Sequence, residues 1–170
     1  MAITCKEITN LLGASFNPLL KPHGFLKTRL TWLREIDQIT QVVNVQKSAW
    51  DHDPKHCSYY INLRIQLRAA TMPAGSGEIS ARLASIVPGY DDSLLQFENC
   101  EMSECVGRIG QASAALSERG LPWLLALSSF NEIRAAYEAG SFESIFAGVG
   151  MLRAVGVTRV TERTGKTHEI

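Results

Sequence analysis

The sequence predicts an α+β fold: an antiparallel sheet with helices packed on one of its faces. Two observations lead there. Between residues 29 and 67 apolar and polar residues alternate at period two, the pattern of half-buried strands. Beyond residue 103 the apolar residues recur at helical spacing instead. Strands therefore precede most helices, without the strand–helix–strand rhythm of a wound parallel sheet.

In chain order, Thr4-x-x-Glu7 is a capping box, in which the Thr hydroxyl and the Glu carboxylate each satisfy an orphan backbone N–H. Ile8, Leu11, Leu12 and Phe16 follow at helical spacing, and Pro18, which has no N–H, predicts a kink or restart. Pro22-His23-Gly24 reads as a turn. A three-stranded meander comes next. Leu30, Trp32 and Ile36 alternate with Arg29, Thr31 and Glu35; Ile39, Val43 and Val45 oppose Thr40, Asn44, Gln46 and Ser48; Tyr59, Ile61, Leu63, Ile65 and Leu67 oppose Tyr60, Asn62, Arg64 and Gln66. A two-residue turn at Asp37-Gln38 sets Ile36 against Ile39, Trp32 against Val43 and Leu30 against Val45, so apolar faces apolar. The same register sets Thr31 against Asn44 and Arg29 against Gln46, and a one-residue slip would destroy both rows. Arg34 and Gln41 break the apolar row, and Leu33 and Val42 break the polar one.

Residues 72–77 read as a loop, and Ile79, Leu83 and Ile86 as a short helix ending before Pro88-Gly89. Residues 90–101 are ambiguous, a fourth strand near residues 94–98 being one reading. Three helices are expected after that. The first is capped by Ser103, carries Val106, Ile109, Ser113 and Leu116, and ends at Gly120. Pro122 suits a first helical turn, and a second capping box, Ser129-x-x-Glu132, precedes Ile133, Ala136 and Tyr137, with Gly140 closing that helix. Ser141 opens the last, with Phe142, Ile145, Phe146, Val149 and Leu152 on one stripe and Gly156 after it. Residues 1–157 read as one α+β domain and residues 158–170 as a polar, frayed tail. The helices should cover the sheet face around Trp32, Val43, Val45, Ile61 and Leu63.

Composition narrows the function classes. The 170 residues are 45% apolar and 20% charged, ordinary globular values. Lys plus Arg and Asp plus Glu both count 17, which leaves no net field to gather nucleic acid or an anionic membrane. No apolar stretch approaches a membrane span, and the first residues lack the basic-then-apolar pattern of a secretory leader. The expectation is a cytoplasmic protein whose four cysteines, Cys5, Cys57, Cys100 and Cys105, are reduced thiols.

The sharpest polar constellation is the outer row of the meander: Arg29, Thr31, Asn44, Gln46, Ser48, Tyr60, Asn62 and Arg64. Guanidinium forks, amides and hydroxyls recognise carboxylates, phosphates or a partner's backbone. Solvation of one sheet face accounts for polar residues there as well, although Asn is a poor strand former and two stand in mid-strand. Three functions follow in order: a non-catalytic module binding another protein through this face, a small-molecule or anion binder using the same residues, and an enzyme of unknown reaction.

Elsewhere the chemistry is thin. Asp51, His52, Asp53, His56 and Cys57 could ligate a metal, but Pro54 denies the two histidines helical spacing. Cys100 and Cys105 have no second cysteine pair, so inert buried thiols are expected and no metal. No Gly-rich phosphate loop and no Gly-x-Ser-x-Gly elbow occurs, so no cofactor is implied. His23 and Asp91-Asp92 have no evident catalytic partners.

Several short words in order also resemble a family. Leu20-Lys21-Pro22-His23-Gly24-Phe25, then Trp32, then Val42-Val43-Asn44-Val45-Gln46-Lys47-Ser48, then Ile61-Asn62-Leu63 are similar to segments of the bacterial domain-of-unknown-function 4304 family. The resemblance runs over roughly residues 5–135 and implies an intracellular α+β protein; it brings no activity. Its words Asn44, Gln46, Lys47, Ser48 and Asn62 fall largely on the outer row.

Overall fold

The computed structural model describes residues 3–49, 56–68, 77–142 and 145–157, with the backbone of 159–161 and 167–169. The readings of residues 50–55 and 72–76 lie outside these. The fold is α+β, with an antiparallel sheet ordered β1-β2-β3-β4-β5-β7. Its strands are β1 (Leu26–Thr28), β2 (Thr31–Ile36), β3 (Ile39–Lys47), β4 (His56–Leu67), β5 (Glu78–Arg82) and β7 (Phe146–Ala147); β6 (Gln96–Glu98) pairs with the first residues of β4. Among the described residues the α-helices are α1 (Cys5–Leu20), α2 (Leu83–Ile86), α3 (Met102–Ala115), α4 (Leu121–Leu125), α5 (Phe130–Glu138) and α6 (Val149–Ala154). Arg159–Thr161 (β8) and Thr167–Glu169 (β9) pair antiparallel in a second, two-stranded sheet.

The meander has the register its alternation dictates. Ile36 faces Ile39 across a turn in which Asp37 takes φ 44°, Trp32 faces Val43 and Thr31 faces Asn44. Val45 N–H donates to the Leu30 carbonyl at 2.8 Å. β4 continues the rows, with Val43 opposite Leu63 and Asn44 opposite Asn62. Trp32, Val43, Ile61, Leu63 and Ile65 are fully buried on the inner face. α1 packs there through Ile8, Leu12, Phe16 and Leu20; the Phe16 and Trp32 rings lie 6.0 Å apart, and the Trp32 indole donates to Asn17 Oδ1 at 3.3 Å.

Gln41 resolves one break in the apolar row. It is fully buried, donates to the carbonyls of Leu124 and Leu127, and accepts from Arg34 Nη1 at 3.1 Å. A polar residue stands on the core face because carbonyls at the end of α4 reach the sheet there and need a donor.

Several expectations are corrected. The chain makes an extra edge strand, β1, so Arg29 does not extend β2 opposite Gln46; it occupies the β1–β2 turn, exposed, with φ 57°. Residues 79–82 are strand and not helix: Ile79 and Ala81 are buried while Glu78, Ser80 and Arg82 alternate outward, and pairing with β4 overrides the Ile79–Leu83–Ile86 helical spacing. α3 begins after Glu101, so Ser103 lies inside it. Gly120 does not end a helix; the chain runs from α3 through a π-helical turn, Leu116–Gly120, straight into α4. A Cβ at Gly120 would meet methyl groups of Leu83, Leu116 and Leu63, so close approach to the sheet explains the glycine. The final helix starts at Val149 rather than Ser141, because Phe146–Ala147 joins the sheet beside β5. The ambiguous stretch resolves as a short helical turn, Asp92–Leu95, followed by β6.

The cysteine reading is corrected as well. Cys5 and Cys57 are joined in a disulfide with Cα atoms 5.8 Å apart, while Cys100 and Cys105 are free and buried. The first turn of α1 rests on the start of β4, where the Tyr59 hydroxyl donates to the Cys5 carbonyl at 3.2 Å.

Candidate functional site

The outer face is ordered by the strand register. One row runs Thr31, Asn44, Asn62, Arg82 across β2, β3, β4 and β5. Asn44 donates to Thr31 Oγ1 at 2.8 Å, and Asn62 donates to Gln46 Oε1 at 3.1 Å and to Asn44 Oδ1 at 3.5 Å. The two mid-strand asparagines thus serve one another and their neighbours, which answers why poor strand formers stand there. Tyr60, opposite Gln46, forms a shelf for Arg82, whose guanidinium lies 4.2 Å over the ring and 3.5 Å from Asp92. Burial raises the Asp92 carboxyl above the usual carboxylate range, and Arg82 pulls it the other way. The neighbouring Tyr90 hydroxyl is also raised, by burial first and then by the charges of Asp92 and Asp91.

The adjacent row has a different character. It runs Leu26, Leu33, Val42, Arg64, Ser80, Phe146 from one edge of the sheet to the other. Leu26 is 76% exposed, Leu33 38% and Phe146 55%, large apolar side chains turned to solvent. Between them Arg64 is half-buried, and its Nε is sealed from solvent without a hydrogen-bond partner. A buried donor left unpaired costs on the order of 1–3 kcal/mol, more for a charged group.

Of the expected site residues, the structure brings Asn44, Gln46, Tyr60, Asn62 and Arg64 onto one face. Arg29 sits in its turn, and Ser48 follows the end of β3, its N–H donating to the Ser58 carbonyl at 2.7 Å. Sequence reasoning missed Ser80, Arg82 and Phe146. The alternation Glu78-Ile79-Ser80-Ala81-Arg82 was the available sign for the first two.

Three other places bring together reactive groups or form a cavity. Ser58, His56 and Glu98 hold nucleophile, base and carboxylate in line, with Ser58 Oγ 3.2 Å from His56 Nε2 and His56 Nδ1 3.7 Å from Glu98. Ser58 is buried in the β4–β6 ladder, so its hydroxyl is not presented to a substrate. A cleft of about 320 Å³ lies between the Asp37-Gln38 turn and the start of α5. Its serines are engaged: Ser128 N–H and the Ser128 and Ser129 hydroxyls all donate to Glu132 Oε2 at 2.8–3.0 Å. The Cys105 thiol is pushed up to about 11 by burial first and then by Cys100, which suits an inert thiol. Among the described residues no group of three or more His, Cys, Asp or Glu could hold a metal ion, and no helix is long and apolar enough to cross a membrane.

Neither a curated protein nor a solved structure matches the chain. A family model does, over residues 16–126, a span that runs from within α1 through the strands β1 to β6 and on past α4. The match covers more than half of the sequence and includes Arg64 and both asparagines, and by it the chain belongs to the family described as Domain of unknown function (DUF4304).

Proposed function

We propose that this protein is a non-catalytic interaction module that presents the outer face of its sheet to another protein. The observation that carries the reading is Arg64. Its side chain is half-buried between Val42 and Ser80, in a row whose outer members are Leu26, Leu33 and Phe146, and its sealed Nε has no partner. The Nε lies out of a partner's reach, but a partner's carboxylate set end-on against the terminal Nη atoms would give this charge an acceptor. The surroundings support a macromolecule over a small ligand. From Leu26 to Phe146 the row crosses six strands, five steps of ~4.8 Å or about 24 Å in all. Exposed Leu and Phe around a central Arg also match the composition of protein interfaces, where Arg and aromatic residues dominate the binding energy.

The test is photocrosslinking in cells of the organism that encodes the protein. A benzophenone amino acid is placed at Leu33, on the row, or at Arg119, exposed on the π-helical turn. The expected result is a discrete protein adduct from position 33 that is lost when Arg64→Gln is added, and none from position 119. No adduct at 33, or the same adducts from both positions, would overturn the reading.

A further inference from the structure

We infer that the partner docks an amphipathic α-helix across the strands, with an acidic residue against Arg64 and apolar residues two turns away on either side. This rests on the interaction reading above and names the chemistry of the partner.

The spacing of the row carries it. Leu33 on β2 and Arg64 on β4 are separated by two strand steps, as are Arg64 on β4 and Phe146 on β7. Each gap is therefore about 10 Å. In a helix rising ~1.5 Å per residue that distance is covered by about seven residues. Seven residues also return a helix to within ~20° of the same face. An apolar residue, an acid seven positions on and a second apolar residue seven further on would thus meet Leu33, Arg64 and Phe146 in one line. An extended segment does not fit: its same-face residues recur every ~6.7 Å, out of step with the row. Leu26, beyond Leu33 at the edge, lengthens the apolar end.

Charge selects the central residue. Arg64 offers a fork to a carboxylate, the one anionic group that protein side chains supply unmodified. The other arginine on this face, Arg82, is held by Tyr60 and Asp92, and the amides beside it are bonded to one another. Among the described residues, Arg64 is thus the arginine on this face that no carboxylate of the fold holds, and the partner's acid would meet its terminal Nη atoms.

The experiment uses the full chain with the benzophenone placed singly at Leu33 and at Phe146, and mass spectrometry to map each adduct on the partner. The expected adduct sites lie on one helix, about 14 residues apart, with an Asp or Glu midway. Arg64→Glu should cut both adduct yields at least tenfold, and replacing the partner's acid by Arg should restore them to within about threefold. Adducts on separate segments, a spacing typical of extended chain, no acid between them, or a yield indifferent to Arg64→Glu would each overturn the helix inference while leaving the interaction face in place. No adduct from either position removes the interaction reading itself, and this inference with it.

Discussion

At the scale of single residues, Gln41 shows what a broken pattern means. A glutamine in an apolar row was legible as an exception, but the carbonyls it serves belong to residues more than eighty positions away. No local rule could have supplied them. Replacing Gln41 with Leu keeps the volume and strands those acceptors, so we expect a loss of about 1–3 kcal/mol in a urea unfolding curve; an unchanged midpoint would show that the carbonyls find other donors. Asn44 and Asn62 were legible in the same partial way. Their presence on one face was read correctly, and their mutual bonding emerges only once β3 and β4 are in register. Arg64 was picked out as one polar residue among many, and its orphaned Nε distinguishes it only in the folded chain.

At the scale of elements, strands and caps were the readable part. Period two and opposed rows fixed the β2–β3–β4 register, because each strand has one buried face. The capping box at Thr4 with Glu7 forms in full; in the second, Ser129 Oγ accepts from Glu132 N–H as expected, but the Glu132 carboxylate takes the Ser128 N–H and the Ser128 and Ser129 hydroxyls. The helix stops after residue 100 were misread where glycine serves packing and not termination, as at Gly120. The second box gives a pH prediction. Hydrogen bonds from Ser128 and Ser129 hold the Glu132 carboxyl below its ordinary value of 4.5. A depressed folded-state pKa contributes stability that is present above 4.5 and lost as pH falls through the folded value. Glu132→Ala should therefore unfold at lower urea than the parent at neutral pH, with the gap closing as the pH falls below 4.5 and through the depressed folded-state value. A gap that persists in acid would assign the effect to helix propensity instead.

At the scale of the whole molecule, the α+β class was legible and the long-range tie was not. Cys5 and Cys57 are 52 residues apart, and nothing in their local sequence announces that the start of α1 lies on the start of β4. Closing a loop of that length restricts the unfolded chain by roughly 4 kcal/mol in the entropic model. Melting with and without a thiol reductant should show a lower Tm when reduced, with Cys5→Ser insensitive to the reductant; equal melts for the parent protein would mean that the link adds nothing to stability.

The two ends of the sheet path decide how this protein can be approached. They are β1, of three residues, and β7, of two. Strand addition needs a run of free backbone donors and acceptors on a rim, and rims this short offer almost none. At these two ends, a neighbour's strand or a second copy of the chain finds only two or three residues to pair with. Under the proposed interaction reading, recognition would then rest on side chains, so single substitutions on the outer face should retune or abolish it without touching the backbone that holds the fold.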